Sequence, residues 1–80
     1  MKMKIWLVNF DDLTCAWTKR EDAISYFHNE LKRINASIVI QDGNEKESND
    51  ALIYSILYED GSREEVVILP TFLDTKPYWD

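Results

Sequence analysis

Apolar and polar residues along the chain change period several times, and each change marks an element. From Lys2 to Phe10, Ile5 and Leu7 alternate with Trp6, Val8 and Phe10. Both faces are therefore apolar, which predicts an interior strand. Asp11 and Asp12 interrupt that run as a tight turn. Leu13, Cys15 and Trp17 then alternate with polar or small residues as a short second strand. Thr18 followed by Glu21 reads as a capping box that starts a helix, in which the hydroxyl and the carboxylate each satisfy one free amide. Ala23, Ile24, Phe27, Leu31 and Ile34 recur at helical spacing, with Asp22, Asn29, Lys32 and Arg33 opposite and Asn35 as the C-terminal cap.

Beyond the helix the pattern returns to strands. Ala36 to Gln41 contains the β-rich run Ser-Ile-Val-Ile. Asp42 to Asp50 has no apolar residue and predicts a loop. Ala51–Tyr58 and Arg63–Pro70 are β-rich and are joined by Glu59-Asp60-Gly61-Ser62, in which Asp-Gly supplies the positive φ angles of a hairpin turn. Pro70 has no amide donor, so it should end the last strand or lie on an edge, with Phe72–Asp80 continuing as an irregular tail. The predicted order is β-β-α-β-β-β, an α+β fold with a mostly antiparallel sheet of four to five strands covered on one face by one helix. Several strands are apolar on both faces. The open face then needs a cover, from the C-terminal tail or from a second copy of the chain.

Composition restricts this picture to one domain. Eighty residues cannot support two separate cores, and three Trp, four Tyr and three Phe supply enough bulk to close one without staples. Cys15 is the sole cysteine, so it forms no internal bridge; a reducing, cytoplasmic setting and a small buried residue are the matching expectations. The apolar run Ile5–Val8 is too short for a signal segment or a membrane span.

Charge narrows the function classes further. Residues 1–40 hold six basic and five acidic side chains, whereas residues 41–80 hold three and ten, within a net charge of −6. Direct nucleic-acid binding draws on Lys and Arg at phosphates, so this balance argues against it and favours a basic protein partner. The competing reading is that the acids only keep a small domain soluble.

Candidate chemistry is sparse. His28 is the only histidine and has no other histidine or cysteine at metal spacing, which gives no basis for a zinc site or a histidine triad. Gly43 and Gly61, the only glycines, form no phosphate-binding loop. Asp42 and Asn44 begin a calcium-loop pattern, but Lys46, Glu47 and Ile53 occupy positions where that pattern needs a ligand, a glycine and a bidentate glutamate. No catalytic residue, metal ligand or cofactor is therefore assigned. The candidate partner-binding residues are the carboxylates Asp42, Glu45, Glu47, Asp50, Glu59, Asp60, Glu64 and Glu65, expected to come near one another once the sheet forms. Tyr58, Tyr78 and Trp79 join them as aromatic anchors. Rows of carboxylates can imitate a phosphate backbone and speed association with a basic groove.

A local likeness points the same way. Glu47-Ser48, Tyr58-Glu59-Asp60, Val66-Val67-Ile68-Leu69 and Lys76-Pro77-Tyr78-Trp79 together resemble the second half of the phage-encoded uracil-DNA glycosylase inhibitors, which are acidic DNA mimics. The resemblance covers less than half of the chain, and the N-terminal half departs from it by opening with a strand. Size and acidity are also similar in type to small phage anti-defence proteins, anti-CRISPR proteins among them. The resemblance implies a non-enzymatic inhibitor that fills the groove of a nucleic-acid-processing or defence protein in the host cytoplasm. The alternative is an antitoxin-like, immunity-type or oligomerising module that uses the aromatic tail and the hairpin edge.

Overall fold

The computed structural model describes residues 2–10, 12–46 and 51–74. It contains β1 (Lys2–Phe10), β2 (Leu13–Trp17), α1 (Arg20–Ile34), β3 (Ser37–Asp42), β4 (Leu52–Leu57) and β5 (Arg63–Asp74). All five strands join one antiparallel sheet in the order β2-β1-β5-β4-β3. One helix on a five-stranded antiparallel sheet is the α+β architecture expected from the pattern. Among the described residues no helix is long and apolar enough to cross a membrane.

The core lies between the helix and one face of the sheet. Trp6, Val8 and Phe10 of β1, Leu52, Tyr54 and Ile56 of β4, and Val66 and Ile68 of β5 are buried with Ala23, Phe27 and Leu31 of the helix. Ile24 and Ile34 pack at its margin, so all five apolar helix positions face the sheet. Phe27 is the centre of an aromatic cluster, with its ring 4.3 Å from Tyr54 and edge-on to Phe10 at 5.9 Å. Such pairs add about 0.5–1.5 kcal/mol to the area they bury.

Several local expectations are corrected. The helix starts at Arg20 with Lys19 as N-cap, and no side chain caps it. Thr18 cannot serve because β2 remains paired as far as Trp17, opposite Trp6, which leaves Thr18 in the connecting bend. Glu21 and Asp22 act through charge instead, in the first turn where the helix dipole favours acids. At the other end Asn35 caps as expected: its φ is 55°, and Ala36 N–H reaches back to the Leu31 carbonyl at 3.0 Å.

In the β4–β5 turn only Gly61 has a positive φ, 86°, and Asp60 does not. Gly61 N–H donates to the Tyr58 carbonyl and Tyr58 N–H to the Ser62 carbonyl, so the connection is a three-residue loop ending in a left-handed glycine. Pro70 does not end β5, which runs on to Asp74. β4 pairs with β5 only as far as Ile68, whereas β1 pairs with it from Val67 to Asp74. Pro70 thus lies where β5 has a neighbour on one side alone, the edge setting that tolerates a missing donor. The tail predicted from Phe72 onward is strand as far as Asp74.

β1 and β5 therefore project past their neighbours as a two-stranded ribbon, residues 2–5 against residues 71–74. The radius of gyration, 14.2 Å, exceeds the roughly 12 Å of a compact chain of this length. Met3, Phe72 and Leu73 on the ribbon are exposed.

Candidate functional site

The two acidic segments flank β4 and leave the sheet at opposite ends. Asp42 closes β3 and leads into the loop before Leu52, whereas Glu59 and Asp60 follow Leu57. Six strand residues at about 3.3 Å each hold the two segments roughly 20 Å apart. The expectation that all the candidate carboxylates would converge is corrected by this topology: antiparallel hairpins put successive loops at alternate ends. Glu47, Asp50, Tyr78 and Trp79 lie outside the described residues.

At the loop end, Glu45 turns toward the helix. His28 Nε2 lies 2.7 Å from its Oε1, and the Tyr54 hydroxyl donates to the same oxygen at 2.5 Å. Arg20, at the start of the helix, donates to the carbonyls of Asn44 and Glu45 and sits 5.6 Å over the Trp6 ring. Gly43 makes the close turn possible with φ 98°; a Cβ there would stand 2.7 Å from Leu52 Cδ2. Burial alone would raise the Glu45 carboxyl, but hydrogen bonds from Tyr54 and His28, with the charges of His28 and Arg20, outweigh it and lower it. Burial and the Glu45 carboxylate raise the Tyr54 phenol. Glu45 was expected to face a partner; its carboxylate is engaged within the fold, latching the loop to the helix. No sequence signal pairs His28 or Arg20 with Glu45, since 17 and 25 residues separate them.

At the hairpin end the carboxylates remain at the surface. Glu59, Asp60 and Glu65 are exposed and Glu64 is half-buried. The Ser62 side chain and backbone hold the Asp60 carboxyl below its ordinary range, through bonds of 2.6 and 2.9 Å to Oδ1. The Tyr58 hydroxyl donates to Glu64, so Tyr58 is half-buried and braces the hairpin.

The topology adds a residue that the pattern treated only as a turn. Asn9 pairs with Val67 and Phe10 with Leu13, which brings the β1–β2 turn out at the same end of the sheet as the β4–β5 hairpin. Asp12 in that turn is exposed, with φ 63°. Asp12, Glu59, Asp60, Glu64 and Glu65 thus share one end, with Arg63 among them.

Cys15 is half-buried, and its thiol donates to the Tyr26 hydroxyl at 3.5 Å. That contact, reinforced by burial, pushes the Tyr26 phenol up to about 12. The Tyr26 ring also packs 5.3 Å from Trp17, which ties the edge strand to the helix. Comparison with protein-family models, with curated proteins and with solved structures finds no match, so the functional reading rests on the chain's own residues.

Proposed function

We propose that this chain is a small non-enzymatic acidic protein that occupies the nucleic-acid-binding groove of another protein and blocks it by charge mimicry. The single observation that carries this reading is the shared end of the sheet: two turns distant in sequence bring Asp12, Glu59, Asp60, Glu64 and Glu65 together there. Negative groups presented on a rigid hairpin suit a surface built for phosphates. Their field would steer a basic partner into contact before short-range packing begins. A phage protein directed against a host nucleic-acid-processing or defence protein, acting in the host cytoplasm, is the setting that such chemistry fits.

The test is capture of the partner from the source cell or its host, followed by binding kinetics over a salt series. Association should slow as salt rises and when Glu59, Asp60 and Glu65 are reversed to Lys. DNA or RNA should compete for the bound protein. A partner that binds equally well at low and high salt, tolerates the reversals and ignores nucleic acid would overturn the proposal.

A further inference from the structure

The two outer strands of the sheet both present unpaired backbone, but they differ in what guards it. β3 carries a register shift between Ile38 and Ile40 and ends in Asp42, two features that discourage a further strand. β2 has no charge, no proline and an unbroken register against β1. Phe10 pairs with Leu13 across a two-residue connection, so Phe10–Leu13, Val8–Cys15 and Trp6–Trp17 exchange the ladder bonds. The N–H and C=O groups of Thr14 and Ala16 therefore point away from β1, along the free edge. Beside that edge, on the helix side of β2, lies a groove of about 290 Å³ lined by Trp17, Asp22, Ser25, Tyr26 and Asn29. Trp17 and Tyr26 give it an aromatic wall, their rings 5.3 Å apart. Asp22, Ser25 and Asn29 are exposed, and among the described residues none of their side chains has a bonding partner. Trp17 also holds a buried indole N–H with no acceptor among the described residues, a bond that the fold does not supply.

From the free edge and the groove beside it we infer that β2 is a docking site for an extended segment of a partner protein, which adds as a sixth strand and seats an arginine in the groove. Main-chain bonds to Thr14 and Ala16 hold such a segment, and its side chain level with Cys15 and Trp17 turns toward the helix. Charge selects the chemistry of that side chain. Asp22 is the one charged residue lining the groove; around it Lys19 is offset by Glu21, and Arg33 is held by Glu30 at 2.7 Å. A guanidinium can stack on the aromatic wall, fork to the Asp22 carboxylate and donate to Ser25 and Asn29. The net charge of −6 draws it in. The site runs along β2 and not on the β4–β5 hairpin, so the inference goes beyond the charge-mimicry proposal and does not depend on it.

Nuclear magnetic resonance of the full chain, titrated with acetyl-Thr-Val-Arg-Val-Thr-amide to about 10 mM, tests it; that range saturates a site with a Kd of roughly 1 mM. The amides of Thr14 and Ala16 and the Trp17 indole N–H should shift together, and the two amides should exchange more slowly with solvent. Ala16→Pro removes an outward N–H and leaves the bonds to β1 in place, so it should abolish binding with an unchanged circular dichroism spectrum. Asp22→Asn, which keeps the shape of an exposed side chain, should weaken binding about fivefold and serves as the second probe if Ala16→Pro unfolds. Citrulline in place of the peptide's arginine should weaken it to a similar degree. No shift at Thr14 and Ala16 over the whole titration would overturn the inference, as would equal binding by Asp22→Asn, by a folded Ala16→Pro or by the citrulline peptide. Shifts confined to residues 59–65 would overturn it and leave the charge-mimicry reading standing. Thr14 and Ala16 shifts that grow with protein concentration alone would overturn it in favour of a second copy pairing at the same edge.

Discussion

The two loops that flank β4 are similar in composition and opposite in use. Before the strand, Glu45 turns inward and binds His28 and Tyr54 while Arg20 grips the backbone beside it. After the strand, Glu59, Asp60 and Glu65 stay in water, and Asp60 bonds only within its own turn. Both Glu45 and Asp60 are held below their ordinary ranges, but the donors differ: a buried phenol and a helix imidazole in one case, a neighbouring serine in the other. A count of carboxylates therefore does not measure a binding surface. What matters is whether a carboxylate finds a donor within the fold or remains for a partner.

The strongest perturbation tests the frame that both loops share. Phe27→Ala removes the ring that meets Tyr54 and Phe10 at the fully buried centre, and should cost about 3–5 kcal/mol in denaturant unfolding. Tyr54 would lose its packing partner, so the Glu45 latch should loosen while the hairpin turn stays local. A loss below about 1 kcal/mol would mean that the helix and the sheet do not share one core.

The next perturbation separates the two ends. Glu45→Ala leaves the buried Tyr54 hydroxyl without its acceptor and should cost about 2 kcal/mol. Its pH signature has a definite sign. The Glu45 carboxyl titrates lower in the fold than in the unfolded chain, so its contribution is present above the unfolded value and is lost as pH falls toward the folded one. Unfolding measured below about pH 5 should show a shallower acid limb in Glu45→Gln than in the wild type. Equal limbs would mean that the latch does not form in solution.

The smallest effect on stability belongs to the hairpin end. Glu59→Lys combined with Glu65→Lys should change unfolding free energy by no more than about 0.5 kcal/mol, as expected of exposed positions without fold contacts. A large loss there would show that these carboxylates also serve the fold and would erase the contrast between the ends.

Local rules in the sequence were enough to specify the helix face, the Asn35 cap, the β-rich runs and a turn at Gly61, because each depends on periodicity or on the conformational freedom of one residue. Ala23, Phe27 and Leu31 are buried on the face that their spacing predicts. The sequence could not show that β5 continues beyond Pro70, since that depends on where β4 stops being its neighbour. Nor could it place Thr18 outside the helix, because the pairing of Trp17 with Trp6 across the sheet decides that. The inward turn of Glu45, the arrival of Asp12 beside the hairpin, and the separation of the two acidic segments were decided by tertiary structure. Each is a relation between residues far apart along the chain, and strand order alone determines which of them meet.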